Sequence, residues 1–445
     1  MKVWRVVTGR LRNVHADHYA IARGMAWVAL FVLIASLARA AKEMAIAYRY
    51  GVSAEVDAYL FVWNLVIWPV GIWFGVLTVV LVPLVARIRQ DASMELPRFR
   101  SELLGLTLLL GLAMWLLAWL GLIALLRSSW TGLPHVTLTL ATSMVPKLVL
   151  LVPFGFLVSL FSAWTLAAGR HANTLLESVP ALVLLMVLLV YPGGGAEPLV
   201  WGTLAGFALH LTSLSMPLAW QGEIEAPRFT RQSPQWTPFW KGFGIMLAGQ
   251  ALMSLITIID QFFAAHLDTG AIAALSYANR ILALILGLGA VAVSRATLPV
   301  FSRVHAQAGK QLHRLATHWA SLLFVLGVVG MVIGWWLAPW GVKVLFERGA
   351  FTVQDTAVVT RVFRYGLMQL PFYFSGLVFV SYLSSQGLYR WIFWSGVIGL
   401  CSKLLGNVLL IESYGVEGIA MATAFTYAAN FVFFWRIFQK TTQSI

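Results

Sequence analysis

The residues able to do chemistry in this chain are ionisable groups placed inside long apolar runs. Arg39, Lys42 and Glu43 fall within residues 24–48, three and four apart, and so share one helical face. Lys147 falls in 138–167, Arg280 in 270–298, Arg361 and Arg364 in 356–384, and Lys403 in 390–412. One Lys or Arg at the centre of a membrane helix costs roughly 2.5–3.5 kcal/mol, so seven cost on the order of 20 kcal/mol. The acids counted inside the runs are three, Glu43, Asp260 and Glu177. Spacing pairs Glu43 with Arg39, one turn away, and sets Asp260 as a partner for Arg280. The rest is positive charge without protein counter-charge, which water and an anionic ligand would accommodate. A planar guanidinium grips phosphate oxygens in pairs, and an ammonium adds a compact point charge. A pyrophosphate joining a lipid to a sugar has the size and charge for three or four such cations. Each cation taken singly has a plainer reading as a snorkelling or ion-paired side chain. Arg361 and Arg364 could reach the outer interface, and backbone carbonyls could hold Lys403.

The elements that must position these groups are set by composition. Hydrophobic residues make up 60% of the 445 and charged residues 11%, with a mean hydropathy of +0.82. Soluble domains carry about 25% charged residues, so this surface cannot be wetted all round. Backbone amides inside lipid must be satisfied internally, which leaves helices or a closed barrel. The apolar runs are too long and too uniform for barrel strands of about ten alternating residues. The expected fold is an all-α polytopic membrane protein. Twelve spans are expected, at 24–48, 57–86, 103–126, 138–167, 173–192, 198–220, 238–263, 270–298, 315–340, 356–384, 390–412 and 416–438.

Charge placement orients them. Arg87, Arg89, Arg98, Arg100, Arg170, Arg228, Arg231, Lys241, Arg303, Lys310, Arg314 and Arg390 collect in alternate loops, against Arg49, Arg127, Lys343 and Arg348 opposite. Both termini are therefore expected in the cytoplasm. That placement also sets aside nucleic acid as the reason for the net charge of +14. Residues 1–23 carry Lys2, Arg5, Arg10, Arg12 and Arg23 between apolar positions and suit a cytoplasmic interfacial helix. Residues 439–445 form a short cytoplasmic tail.

The polar segment 221–237 divides two six-helix lobes, 24–220 and 238–438. Val82-Pro83-Leu84 and Leu298-Pro299-Val300 recur about 216 residues apart, and Ala168-Gly169-Arg170 and Gln386-Gly387-Leu388 about 218 apart. An even number of helices per half gives a pseudo-two-fold along the membrane normal, with the substrate site between halves.

The remaining candidates are weaker. His210 is expected to be a packed polar residue, with proton handling as the alternative. Pro146, Pro153, Pro180 and Pro371 predict kinks. Trp335, Trp336 and Trp340 suit the interface. His313 and His318 have no third ligand nearby, and no nucleophile elbow or phosphate loop occurs. The single cysteine, Cys401, excludes an intrachain disulfide. No catalytic residue, metal or cofactor is expected.

Several stretches resemble a known family. Lys42-Glu43, then Tyr48-Arg49-Tyr50-Gly51, then Asp57-Ala58 resemble its basic–acidic pair, aromatic–glycine turn and Asp-Ala helix opening. Asp260, Tyr277-Ala278-Asn279-Arg280, Gly287, Leu298-Pro299 and Ser302 are similar to its helix 7–8 region. The most specific match is Leu345-Phe346-Glu347-Arg348-Gly349-Ala350-Phe351-Thr352, followed by Asp355-Thr356. On these residues the chain resembles the MurJ (MviN) lipid II flippases of the multidrug/oligosaccharidyl-lipid/polysaccharide superfamily.

The resemblance implies alternating access between two lobes around a cationic cavity. Its partners would be a lipid-linked anionic glycan, membrane lipids and cell-envelope biosynthesis proteins, in the bacterial inner membrane. By position, Lys42 stands for the second helix 1 arginine, Glu43 for the aspartate after it, Asp57 for the aspartate opening helix 2, and Arg280 for the helix 8 arginine. The first helix 1 arginine falls at Ser36, with Arg39 one turn on. Arg39, Lys42, Arg280, Lys147, Arg361, Arg364 and Lys403 are thus the expected pyrophosphate ligands. Glu43, Asp57, Asp260, Asn279 and Asn407 are the expected supporting or gating residues.

There are departures. No arginine occupies Ile67-Trp68-Pro69-Val70, and Phe74-Gly75-Val76-Leu77 replaces a Glu-Gly-Ala-Phe segment. The two final helices of typical members are expected to be missing. Where relatives bind sodium between helices 7, 11 and 12, Lys403 and Asn407 lack the acid, and a fixed ammonium could stand in the ion's place. Two other functions stay open. An organic-cation antiporter of the same superfamily would need an acidic cavity, and a membrane glycan polymerase or ligase would need a long external loop.

Overall fold

The computed structural model describes residues 16–91, 95–168, 172–305 and 309–443, and among them every regular element is a helix. The expected basic segment 1–23 lies mostly outside the described residues.

The chain runs through α1 (Ala16–Tyr50), α2 (Ala54–Asp91) and α3 (Leu96–Arg127). Then come α4 (His135–Leu148), α5 (Leu151–Ala167), α6 (Ala172–Leu176), α7 (Val179–Val190) and α8 (Glu197–Trp220). After the polar segment follow α9 (Trp236–Ala265), α10 (Ala271–His305) and α11 (Gly309–Phe346). The last are α12 (Val353–Leu367), α13 (Leu370–Ser385) and α14 (Tyr389–Gln443).

Among the described residues, eight helices are long and apolar enough to cross a membrane, or up to nine when a bent pair counts as one span. That count differs from the twelve runs because helices break and merge, and because the run 24–48 in α1 is not among the eight or nine. The run 138–167 is α4 plus α5, bent by 50°. The run 173–192 is split into α6 and the short α7. The runs 390–412 and 416–438 form α14, whose backbone turns at Gly415 (φ 53°, ψ −131°), a conformation open to glycine.

Proline explains the breaks. Its ring clashes with the carbonyl four residues back and gives no hydrogen bond to it. Pro153 stands four residues after Val149, where α4 gives way to α5. Pro180 stands four after Leu176, the end of α6, and Pro371 four after Leu367, the end of α12. Pro69 and Pro83 leave α2 continuous.

Similar packing recurs in the two parts of the chain. Helix α2 packs on α4 and α5, as α10 packs on α12 and α13, and α3 packs on α5 as α11 does on α13. Across the parts, α2 lies along α9 and also touches α10. Trp68 Nε1 donates to Ser254 Oγ at 2.7 Å and Gln261 Nε2 to the Leu60 carbonyl at 2.8 Å along that seam. Segment 221–235 is strapped to α3 through the buried Glu102. Its carboxylate accepts from Thr230 Oγ1, the Gln232 and Ser233 amides and Trp236 Nε1, at 2.7–3.1 Å.

Candidate functional site

A cavity of about 420 Å³ lies among α1, α2, α5, α7, α8 and α10. Three expected cations line it: Arg39 and Lys42 from α1, and Arg280 from α10. Glu43, buried beside them, holds Lys42 Nζ at 2.8 Å and Arg280 Nε at 3.2 Å on the same Oε1. The expected Glu43–Arg39 pair is therefore replaced by one that crosses between distant parts of the chain. Arg39 donates instead to Ser36 Oγ at 3.1 Å, one turn back. The i, i+4 spacing permitted the first pairing, but α10 brings a second guanidinium against α1. Glu177, just before α7, also lines the cavity, opposite in sign to the three cations.

The other four cations do not line this cavity, which corrects the expectation of a single cluster of seven. Lys147 pairs with Glu197 Oε1 at 2.5 Å, 5.7 Å from the Trp201 ring centre. Glu197 and Trp201 border a separate, largely apolar hollow of about 890 Å³. Arg361 pairs with Glu417 Oε1 at 2.8 Å. Arg364 donates to the Trp335 carbonyl at 3.0 Å and lies over its ring. Lys403 is fully buried, 2.8 Å from Asp260 Oδ1, 2.8 Å from the Ile419 carbonyl and 2.5 Å from Thr423 Oγ1. Asp260 thus meets Lys403, not Arg280, and also accepts from Asn407 at 3.1 Å. Asn279 is exposed and lies outside the cavity lining.

The positive excess is smaller than expected because Glu417, inside the run 416–438, and Glu197, one residue before the run 198–220, each pair with one of these cations. An acid one residue outside a hydrophobic window can still reach in.

At the end of α1, two parts of the chain are latched together. Asp57 accepts from the Gly270 amide at 2.5 Å and the Ala273 amide at 2.7 Å, so a carboxylate on α2 caps the first turn of α10. The Ala350 amide donates to the Tyr48 carbonyl at 2.7 Å, and Tyr277 Oη donates to the Gly51 carbonyl at 3.1 Å. Thr352 and Asp355 form a reciprocal cap that sets the start of α12 beneath this turn. Gly51 and Gly349 both have left-handed backbones (φ 59° and 65°), and a Cβ on either would overlap the facing carbonyl. Gly349→Ala should therefore cost about 2 kcal/mol, from left-handed strain and the clash. Gly341→Ala, with open space around it, should cost nothing. Unfolding midpoints of the two variants in detergent check this.

With the geometry in place, the fold and site define a class: an all-helical multi-pass transporter with a charged cavity among its helices. The chain belongs to the lipid II flippase MurJ family, whose profile matches residues 46–445. It is therefore a multi-pass protein of the bacterial inner membrane.

A probable lipid II flippase MurJ of Buchnera aphidicola subsp. Baizongia pistaciae is 22% identical over 438 residues, 95% of this chain and 84% of that one. One from Vibrio cholerae is 28% identical over 46% of this chain and 40% of its own. A solved lipid II flippase MurJ in an inward closed conformation superposes with a TM-score of 0.80 at 21% identity, covering 93% of this chain and 87% of that one. An inward-facing multidrug resistance MATE transporter gives 0.74 at 14% identity, over 92% and 95%. At these identities the two solved structures share the fold.

Proposed function

We propose that this chain moves a lipid-linked glycan diphosphate from the cytoplasmic to the outer leaflet, making and breaking no covalent bond. The observation that carries the reading is the meeting of Arg39, Lys42 and Arg280 on one cavity from α1 and α10. Glu43 neutralises part of that charge while the cavity is empty. Phosphate oxygens would take over Lys42 and Arg280 when the ligand arrives, in charge-assisted hydrogen bonds.

In this reading two six-helix lobes, 24–220 and 238–438, rock about the α2–α9 seam, and both termini are cytoplasmic. The Tyr48–Asp57 latch is the outer gate, which must part for release. Voltage acts on a charged cavity at about 2.3 kcal/mol per elementary charge per 100 mV and biases its return. An organic-cation exporter fits less well, because three cations line the cavity with Glu177, and Glu43 is already shared by two of them.

The test is genetic. The gene should restore growth to a cell depleted of its own lipid II flippase. No rescue by a well-expressed, membrane-inserted protein would move the substrate to another lipid-linked glycan. Failure to translocate any such glycan in vesicles would end the proposal.

A further inference from the structure

Besides the charged residues, the same cavity is lined by neutral polar side chains that phosphate binding does not use. They are His210 and Thr203 on α8, Ser159 and Ser162 on α5, and Tyr59 on α2. His210 is 5% exposed, and its Nε2 has no hydrogen-bond partner among the described residues. A buried polar atom left unpaired costs about 1–3 kcal/mol, so it needs a partner from outside the chain.

The neighbouring hydroxyls are oriented by their own helices. Ser159 Oγ donates to the Gly155 carbonyl at 2.6 Å and Thr203 Oγ1 to the Leu199 carbonyl at 2.7 Å. With that proton spent, Thr203 Oγ1 accepts from Tyr59 Oη at 2.8 Å. Ser159 is left presenting lone pairs. These side chains therefore offer hydroxyl lone pairs and an imidazole nitrogen, while the cations offer donors with charge. A ligand that matches both is anionic at one end and rich in hydroxyl and amide groups at the other.

We infer that His210, with Ser159 on the same cavity, recognises the first sugar of the lipid-linked substrate and makes the cavity select a glycosylated diphosphate over a bare one. This rests on the reading that the phosphates sit at Arg39, Lys42 and Arg280. His210 is the specificity-determining contact, and Ser159 supports it.

The experiment uses the full chain in lipid nanodiscs with two probes, undecaprenyl pyrophosphate and lipid II, whose heads differ by the glycan. His210→Phe keeps a flat ring and loses both nitrogens. It should weaken lipid II binding at least tenfold, about 1.4 kcal/mol, and change undecaprenyl pyrophosphate binding less than twofold. The unchanged probe also reports that the variant is folded. His210→Gln restores a polar tip and should recover lipid II affinity to within threefold, and Ser159→Ala should give a smaller loss in the same direction.

Equal losses for both probes, or none, would overturn the inference and leave a water molecule as the partner of Nε2. If the unmodified protein binds neither probe, the function proposed above fails and the inference falls with it. If it binds both with His210→Phe unaltered, only the sugar contact fails.

Discussion

Replacing Lys42 and Arg280 together by alanine should lower translocation of a lipid-linked glycan by about 100-fold or more. Each contributes charge-assisted hydrogen bonds to phosphate, worth about 1.5–3 kcal/mol apiece. Two of them make roughly 3–6 kcal/mol, and each 1.4 kcal/mol is tenfold. The double variant also strands Glu43, whose carboxylate now meets both cations. The decisive form therefore carries Glu43→Gln as well, and Glu43→Gln alone is its control. Lys147→Ala with Glu197→Gln removes a cation and an acid that pair away from the cavity. Translocation by that variant should stay within about twofold of the unmodified protein. The measurement is movement of labelled substrate across proteoliposomes. Equal losses from the Lys147 and Lys42–Arg280 variants would return weight to a diffuse seven-cation site, and full activity in the triple variant would remove the pyrophosphate site.

Lys403→Met should destabilise the protein by about 3–5 kcal/mol, the usual cost of breaking a buried ion pair from one side. The ammonium is enclosed by Asp260 on α9 and by Ile419 and Thr423 on the second arm of α14. Lys403 itself is on the first arm, so one side chain ties three helical segments. Removing it leaves the Asp260 carboxylate in low dielectric with Asn407 as its remaining neighbour of note. Changing both partners together, Lys403→Met with Asp260→Leu, should recover most of the loss, because an apolar pair of similar size has no charge to desolvate. Unfolding midpoints in detergent decide it. A double variant as weak as the single one would show that the tie is more than electrostatic.

The two predictions separate what was readable early from what was not. Arg39, Lys42, Glu43 and Arg280 stood out because ionisable groups within apolar runs are costly and few. Their meeting did not follow from spacing. Glu43 looked committed to Arg39 along α1, and only the approach of α10 put Arg280 in competition. For Lys403 the position was legible and its acid was not, since Asp260 lies 143 residues earlier. His210 looked like packing, because a lone histidine in an apolar run carries no sign of whether its ring nitrogen has a partner. The breaks at Val149, Glu177 and Met368 were signalled by Pro153, Pro180 and Pro371, whose effect is local.

By itself, the sequence determined the solvent, the helical class and the family, since these depend on summed hydrophobicity, on backbone amides that lipid cannot satisfy, and on short motifs at turns. Tertiary structure decided which charges cancel and which face a ligand. Ion pairing acts over a few ångströms between side chains from different helices, and helix rotation and crossing set those distances. Hydropathy carries no record of either.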